Sequence, residues 1–200
     1  SQHQGAPVSE TTISFTTGAL VGYWPFDDNL TDTVGSNDGT RANPHFAGGV
    51  IGSGAAAEFF GDEPITLAIP DIATGGNWTI SFWDYSDPKI GGGWETILGN
   101  GAGPDGWEIF EFGRYNFNRY IFGIDNTYIA TPNDSSYLRG GWQCHTITYD
   151  SAAKIVTWYI NGTKRTDYPG KTISLYEKLS VGNVSGGSQP FTGRVDDFKV

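Results

Sequence analysis

Trp78-Thr79-Ile80-Ser81-Phe82-Trp83-Asp84-Tyr85 alternates with a period of two, the pattern of a β-strand with one buried face. The same reading extends outward from it. Short strand-like runs at 20–26, 58–60, 65–69, 95–99, 107–112, 120–124, 128–130, 179–181 and 195–200 are bounded by Gly, Asn, Asp or Pro, residues that punctuate strands. The run Ile155-Val156-Thr157-Trp158-Tyr159-Ile160 leads into Asn161-Gly162, which supplies the two positive-φ positions of a type I′ hairpin turn. No window sustains apolar spacing at i, i+3, i+4, i+7 beyond one turn, so almost no helix is expected. Regularly spaced strands joined by Gly-rich turns predict an all-β sandwich.

Composition agrees. Glycine is 29 of 200 residues, about double the usual ~7%. Charged residues are 17%, below the usual ~25%, and the profile suits short strands and tight turns. Two hundred residues suffice for one well-buried domain. We expect a leader or linker over 1–18, with one edge strand at 12–16, and the domain over 19–200. Aromatic residues at 14% are enough to fill the space between two sheets and leave rings exposed. The net charge of −10 argues against nucleic acid or anionic membrane as partner, since a polyanion needs a basic footprint. No stretch approaches the ~20 apolar residues of a membrane span. Cys144 is the single cysteine, which excludes an internal disulfide, and its alternating surroundings read as a small buried hydrophobe. A chain that opens Ser-Gln-His-Gln, lacks methionine and halts inside an apolar run is expected to be a piece of a longer polypeptide.

Two acidic segments stand out. Asp27-Asp28 follows Gly22-Tyr23-Trp24-Pro25-Phe26, and Asp196-Asp197 lies in Gly193-Arg194-Val195-Asp196-Asp197-Phe198-Lys199-Val200. A sandwich whose first and last strands are neighbours would bring these acids together, and acids with so little nearby base suggest a bound cation. Asp28, Asp32, Asn37 and Asp38 sit in one polar loop, and Asp196 shares strand parity with Phe198 and Val200, which directs its carboxylate inward. Carboxylates, amide oxygens and the carbonyls of a Gly-rich turn are hard ligands suited to calcium. These five residues are the expected ligands of a structural Ca2+. The alternative for the loop acids is that they form Asx-turns.

Several stretches, in order, carry a family resemblance. Gly22 through Asp27, Asp32-Thr33-Val34-Gly35-Ser36-Asn37-Asp38-Gly39-Thr40, Trp78 through Trp83, Trp142 through Asp150, Trp158-Tyr159-Ile160-Asn161-Gly162 and Gly193 through Asp197 resemble the laminin-G-like branch of the concanavalin A-like lectin/glucanase superfamily over about residues 20 to 200. The resemblance implies a jelly roll of two antiparallel sheets, frequently with a structural calcium where the first loop meets the last strand. The Tyr-Asn-Arg-type ending usual in the family is absent here.

Enzymes share this fold, so catalytic signatures bear on function. Retaining glucanases of the fold resemble one another in a Glu-x-Asp-x-x-Glu strand carrying nucleophile and acid/base; no such run occurs. Glu108 and Glu111 differ by three and would face opposite sides of a strand. The Gln-x-His strand typical of the alginate-lyase branch is missing as well. His145, beside Cys144 in an alternating run, faces the opposite side, which argues against a Cys/His nucleophile pair.

Between residues 92 and 128 the chain concentrates rings, amides and guanidinium groups. Sugars present apolar C–H faces and hydroxyl rims, which flat rings with polar edges match. Trp94, Arg114, Tyr115 and Asn118 are the expected ligand-binding residues. The sequence therefore reads as a noncatalytic, lectin-like carbohydrate-binding module, calcium-stabilised and monomeric, of a larger secreted or cell-surface protein, with a polysaccharide or glycan as partner. The alternatives are an adhesion module that binds protein and, behind it, a polysaccharide-active enzyme of the same fold.

Overall fold

The computed structural model describes residues 18–200 apart from 51–53, 62, 70–75, 87–92, 103–107, 116–118, 125–126, 131–139, 171, 174–177 and 184–188. In chain order its strands are β1 (Tyr23–Trp24), β2 (His45–Gly48), β3 (Ala55–Phe60), β4 (Ile65–Ala68), β5 (Trp78–Ser86), β6 (Trp94–Ala102), β7 (Glu108–Tyr115), β8 (Arg119–Ile124), β9 (Thr127–Ala130), β10 (Trp142–Asp150), β11 (Ile155–Ile160), β12 (Thr163–Pro169), β13 (Lys178–Val181) and β14 (Thr192–Lys199). The larger sheet runs β12-β11-β10-β5-β14-β3-β2, with β1 also paired to β14, and the smaller runs β4-β13-β6-β7-β8-β9. Neighbours are antiparallel throughout. The all-β sandwich read from the sequence is the fold observed.

The alternating run at 78–85 becomes the centre of the larger sheet. Trp78, Ile80, Phe82 and Asp84 are buried while Thr79 between them is exposed. Phe82 stacks on Phe198 of β14 at 5.7 Å and meets Phe112 of β7 edge-on at 5.7 Å. The second contact crosses the sandwich and ties the two sheets together. Each fully buried Phe of this kind contributes about 1.5–3 kcal/mol of hydrophobic stabilisation. The hairpin turn forms as expected: Asn161 and Gly162 have φ of 49° and 73°, and the Asn161 side chain accepts from the Cys144 N–H at 2.8 Å.

The last strand positions the acids. One flank of β14 is shared in tandem, by β3 along Thr192–Val195 and by β1 at Phe198 and Lys199. Asp196 and Asp197 fall in the gap, Asp197 with φ of 51°, and the pairing with β5 shifts register there. This bulge breaks the parity expected from the sequence. Val195 and Phe198 both enter the core, whereas Asp196, paired with Trp83 rather than with the inward Asp84, lies on the outer face. The inward direction expected for Asp196 is therefore wrong, because an extra residue in the strand reverses the alternation.

Two further departures have local causes. The first strand shrinks from the expected 20–26 to Tyr23–Trp24 because Phe26, fully buried, takes a left-handed φ of 60° that ends the extended run. Strands β2 and β12, unmarked in the sequence reading, are edges. Thr163-Lys164-Arg165-Thr166-Asp167-Tyr168-Pro169 is mostly exposed, and Lys and Pro are how edges avoid pairing with other chains. The expected strand at 12–16 lies outside the described residues.

Candidate functional site

The acids of the first and last strands divide into two groups with different environments. Asp32 is buried in the loop after β1, and its Oδ1 accepts from the N–H groups of Tyr23 (3.0 Å), Val34 (3.1 Å) and Gly35 (3.0 Å). Its Oδ2 accepts from the backbone N–H of Asn37 at 3.3 Å and from the Asn37 amide at 3.4 Å. The Asp32 N–H in turn donates to Asp38 Oδ1 at 2.9 Å. Burial pushes the Asp32 carboxyl up, but the N–H groups of Gly35, Tyr23, Val34 and Asn37 outweigh it and hold the group below the usual carboxylate range. These bonds lock the loop.

The second group lines a cavity of about 210 Å3 formed by Pro25, Asp27, Gly49, Val50, Gly54, Asp196 and Asp197. Left-handed φ at Phe26 (60°) and Asp28 (56°) folds the chain sharply around Asp27. Asp27 Oδ1 accepts from the Ala55 N–H at 3.0 Å, and Asp196 Oδ2 from the Val50 N–H at 2.9 Å. The segment facing the acids carries glycine at both approach points. A Cβ on Gly54 would stand 2.3 Å from Asp27 Oδ1, and one on Gly49 2.6 Å from Asp196 Oδ2. Burial pushes the Asp196 carboxyl up, and the nearby charges of Asp197 and Asp27 add to this against the N–H groups of Val50 and Asp197. Asp197 itself is held by the Tyr23 hydroxyl at 2.5 Å and faces the Lys199 ammonium at 3.6 Å. Crowded carboxylates, one of them buried without a cation beside it, suit a hard cation.

The five expected metal ligands are thus not gathered. Asp32, Asn37 and Asp38 hydrogen-bond within the loop, Asp28 is exposed and does not line the cavity, and only Asp196 belongs to it. Its companions are Asp27 and Asp197, which the paired-acid pattern signals directly. Among the described residues no three His, Cys, Asp or Glu side chains form a ready-made metal cage.

The expected ligand-binding residues divide too. In β7, Phe112 points into the core with no exposed surface, and Arg114, two residues on, follows it inward at 5% exposure, 3.8 Å from Glu95 and 6.0 Å from the centre of the Tyr120 ring. Strand parity removes Arg114 from any ligand surface. Trp94, paired with Tyr115 where Glu95 pairs with Arg114, takes the opposite, outer face. There its indole meets Tyr128 of β9 edge-on at 4.9 Å, and Tyr128 is 45% exposed. On the outer face between β6 and β9, Gly113 and Gly123 carry no side chain, Ile121 is buried opposite Gly113, and a Cβ on Gly123 would enter the Tyr128 ring at 2.6 Å. The result is a ring pair over a glycine floor. Tyr115 is described through its backbone alone, and Asn118 lies outside the described residues.

Sequence reasoning missed a polar network inside the sandwich. The buried Trp158 Nε1–H donates to His145 Nδ1 at 3.3 Å, which assigns the ring proton to Nε2 and makes it the donor to Asp84 Oδ1 at 2.6 Å. The Tyr120 hydroxyl donates to the same carboxylate at 3.0 Å. Asp84 and His145 have no exposed surface, so the network orders the core and is closed to a substrate. His145 does face away from Cys144, as the alternation implied. Asp84 was legible as the lone acid at an inward position of β5.

The Laminin_G_3 family model, of the concanavalin A-like lectin/glucanases superfamily, matches residues 60–200. No curated protein matches the chain in sequence. Among solved structures, domain 4 of AbnA, a GH43 extracellular arabinanase from Geobacillus stearothermophilus in complex with arabinotriose, is similar at 19% identity and a TM-score of 0.66, covering 90% of each chain. A Bacteroides ovatus protein described as carbohydrate binding is similar at 16% identity and a TM-score of 0.56, over 72% of this chain and 42% of that one. Trypanosoma rangeli sialidase is similar at 14% identity and a TM-score of 0.70, over 96% of this chain but 33% of the sialidase. At these identities the likeness is one of fold. The sandwich, its strand order and the match over most of its length place the chain in the Laminin_G_3 family of the concanavalin A-like lectin/glucanases superfamily.

Proposed function

We propose that this domain is a noncatalytic carbohydrate-binding module of a larger secreted or cell-surface protein, stabilised by one calcium ion. The observation that carries the reading is the Trp94–Tyr128 pair over the glycine floor of the smaller sheet. Partly exposed rings beside glycine positions give the C–H face of a sugar room to lie flat. Support comes also from the arabinanase domain of the same fold, which was solved with arabinotriose. A shallow surface of this kind binds weakly, since few ligand atoms are buried and each contributes at most roughly 0.3–1.5 kcal/mol.

The cavity residues fit the calcium that the family resemblance implies. Asp27 and Asp196 would hold it, with Gly49 and Gly54 leaving the space that a Cβ would fill. When bound, the ion supplies positive charge that offsets the mutual repulsion of the cavity acids. Asp197, held by Tyr23 and Lys199, would keep the others in place.

Retention on immobilised neutral polysaccharides tests the binding reading. Trp94→Ala and Tyr128→Ala are expected to weaken retention while the melting temperature stays within a few degrees of wild type. Full retention in both variants would move the glycan surface away from these rings. Sustained release of reducing sugar by the pure protein would replace the reading with an enzymatic one.

A further inference from the structure

The opposite side of the sandwich carries an organised row of its own. On the outer face of the larger sheet the register aligns Trp142 of β10 with Tyr85 of β5, Tyr85 with Arg194 of β14, Arg194 with Glu58 of β3, and Glu58 with His45 of β2. Their neighbours Asp84, Val195 and Ala57 are buried in the core, so alternation turns the row outward. Five adjacent strands at about 4.8 Å spacing give it a length of roughly 19 Å, perpendicular to the strands.

The members touch in sequence. Tyr85 and Trp142 pack at 5.6 Å, the Arg194 guanidinium lies 5.2 Å over the Tyr85 ring, and Arg194 Nε pairs with Glu58 Oε1 at 3.3 Å. At the far end His45 meets Phe60 edge-on at 5.3 Å, and Phe60 is 60% exposed. Cross-strand pairs on such a face stabilise a sheet by only about 0.2–1 kcal/mol each, which leaves partly exposed rings along one line without a sufficient structural reason.

We infer that this row is a second carbohydrate-binding surface, taking a linear, neutral polysaccharide laid across the strands from Trp142 to His45 and Phe60. Its charge selects the partner. The single cation, Arg194, is matched by Glu58 in a chain of net charge −10, so the row offers a polyanion no basic footprint. A neutral chain of sugars meets rings for its C–H faces and the guanidinium, carboxylate and imidazole edges for its hydroxyls. One strand spacing is close to the length of one sugar ring, so successive units fall on successive strands. Because this row and the Trp94–Tyr128 pair lie on opposite faces, the module would hold two chains at once and cross-link them, which raises avidity without new contacts. Binding by the row does not need the smaller-sheet site, whereas the cross-linking rests on that reading.

The test is retardation of the full 200-residue chain in native gels containing linear arabinan, xylan, hydroxyethyl cellulose or galactomannan, with turbidity of the retarding polymer as a measure of cross-linking. For a polymer that retards wild type, Tyr85→Ala with Trp142→Ala is expected to weaken retardation roughly tenfold, and His45→Ala with Phe60→Ala about threefold. Turbidity should vanish in Trp94→Ala and in either row variant alone. The exposed His45/Phe60 pair decides the matter if the other double variant does not fold. Wild-type retardation and turbidity in a folded row variant overturn the inference, and if Trp94→Ala alone then loses binding, the smaller-sheet reading stands by itself. Failure of every polymer to retard wild type overturns both.

Discussion

Asp32 and Asp196 are both buried aspartates near the junction of the first and last strands, yet their environments act in opposite directions. Asp32 gathers five N–H donors, four from its own loop and one from Tyr23 of β1, and is held more acidic than usual. Asp196 receives two, from Val50 and Asp197, and is held less acidic by burial and by the charges of Asp197 and Asp27. Burial alone does not mark a cation site. What distinguishes the two is how far the protein itself satisfies the charge: where it does, the carboxylate is a structural fastener, and where it does less, a counter-charge from outside would stabilise it.

The sharpest way to break this comparison is to remove each carboxylate in chelator. Asp32→Ala leaves several loop N–H groups without an acceptor and is expected to cost about 3 kcal/mol, the upper range for a lost buried acceptor. Asp196→Ala removes repulsion along with two hydrogen bonds, so its cost should stay under about 1 kcal/mol. Urea denaturation of the two variants at neutral pH measures the difference. Equal costs would mean that the cavity acid is as well satisfied as the loop acid.

Calcium should then act on one member alone. Saturating the folded form at a hundred times Kd is expected to add roughly 2.7 kcal/mol, seen as a rise in melting temperature on titration. Asp27→Asn or Asp196→Asn should remove the rise, whereas Asp28→Asn should keep it. A calcium-dependent shift that survives Asp196→Asn and disappears in Asp38→Asn would return the site to the loop.

Acid should separate the pair by sign. Asp32 has a folded pKa below its unfolded value of about 3.9, so its stabilisation is present above that value and is lost as pH falls through the folded pKa. For Asp196, raised in the folded state, the contribution is fully present below the unfolded value and is lost as pH rises through the folded pKa. In chelator the stability difference between wild type and Asp32→Asn should therefore grow as pH rises from the acid limit. Between wild type and Asp196→Asn it should shift against wild type over the range just above the unfolded value. Parallel curves for the two variants would sink the assignment.

How much of this was legible depends on what fixes each feature. Local alternation revealed β5, β10 and β11, because a strand with one buried face writes a period of two into its own residues. It also places Arg114 inward beside Phe112, a parity that the ring-and-donor clustering around Tyr115 outweighed in the sequence reading. The paired acids do meet where the first and last strands adjoin, but the direction expected for Asp196 failed, and Asp27 and Asp197 were passed over for loop acids that lie outside the cavity. The bulge at Asp196 and Asp197 depends on β3 and β1 sharing one flank of β14, and no local pattern encodes a gap between two distant strands. The donors that satisfy Asp32 are mostly backbone groups; the Asx-turn alternative anticipates the bond from Val34, but no local pattern encodes the one from Tyr23 across the loop. The row from Trp142 to His45 is invisible for the same reason: its members come from five strands and only the register brings them into line.

The smallest expected effect extends the comparison from charge to a neutral group. Tyr149 and Tyr168 are both buried in the core, but the Tyr149 hydroxyl accepts from the Ile173 N–H at 3.3 Å while the Tyr168 hydroxyl has no hydrogen-bond partner among the described residues. The Tyr168 ring packs against Phe122 at 5.1 Å, and burial pushes its phenol up. An unsatisfied buried hydroxyl costs about 1–3 kcal/mol of desolvation, and phenylalanine keeps the ring while removing that cost. Tyr149→Phe should lose about 1 kcal/mol. Tyr168→Phe should instead leave the urea midpoint unchanged or raise it, by under about 1 kcal/mol after the void left by the oxygen is counted. A loss at Tyr168 equal to that at Tyr149 would show that its hydroxyl is satisfied in solution, by a buried water, and that satisfaction must be judged with solvent included.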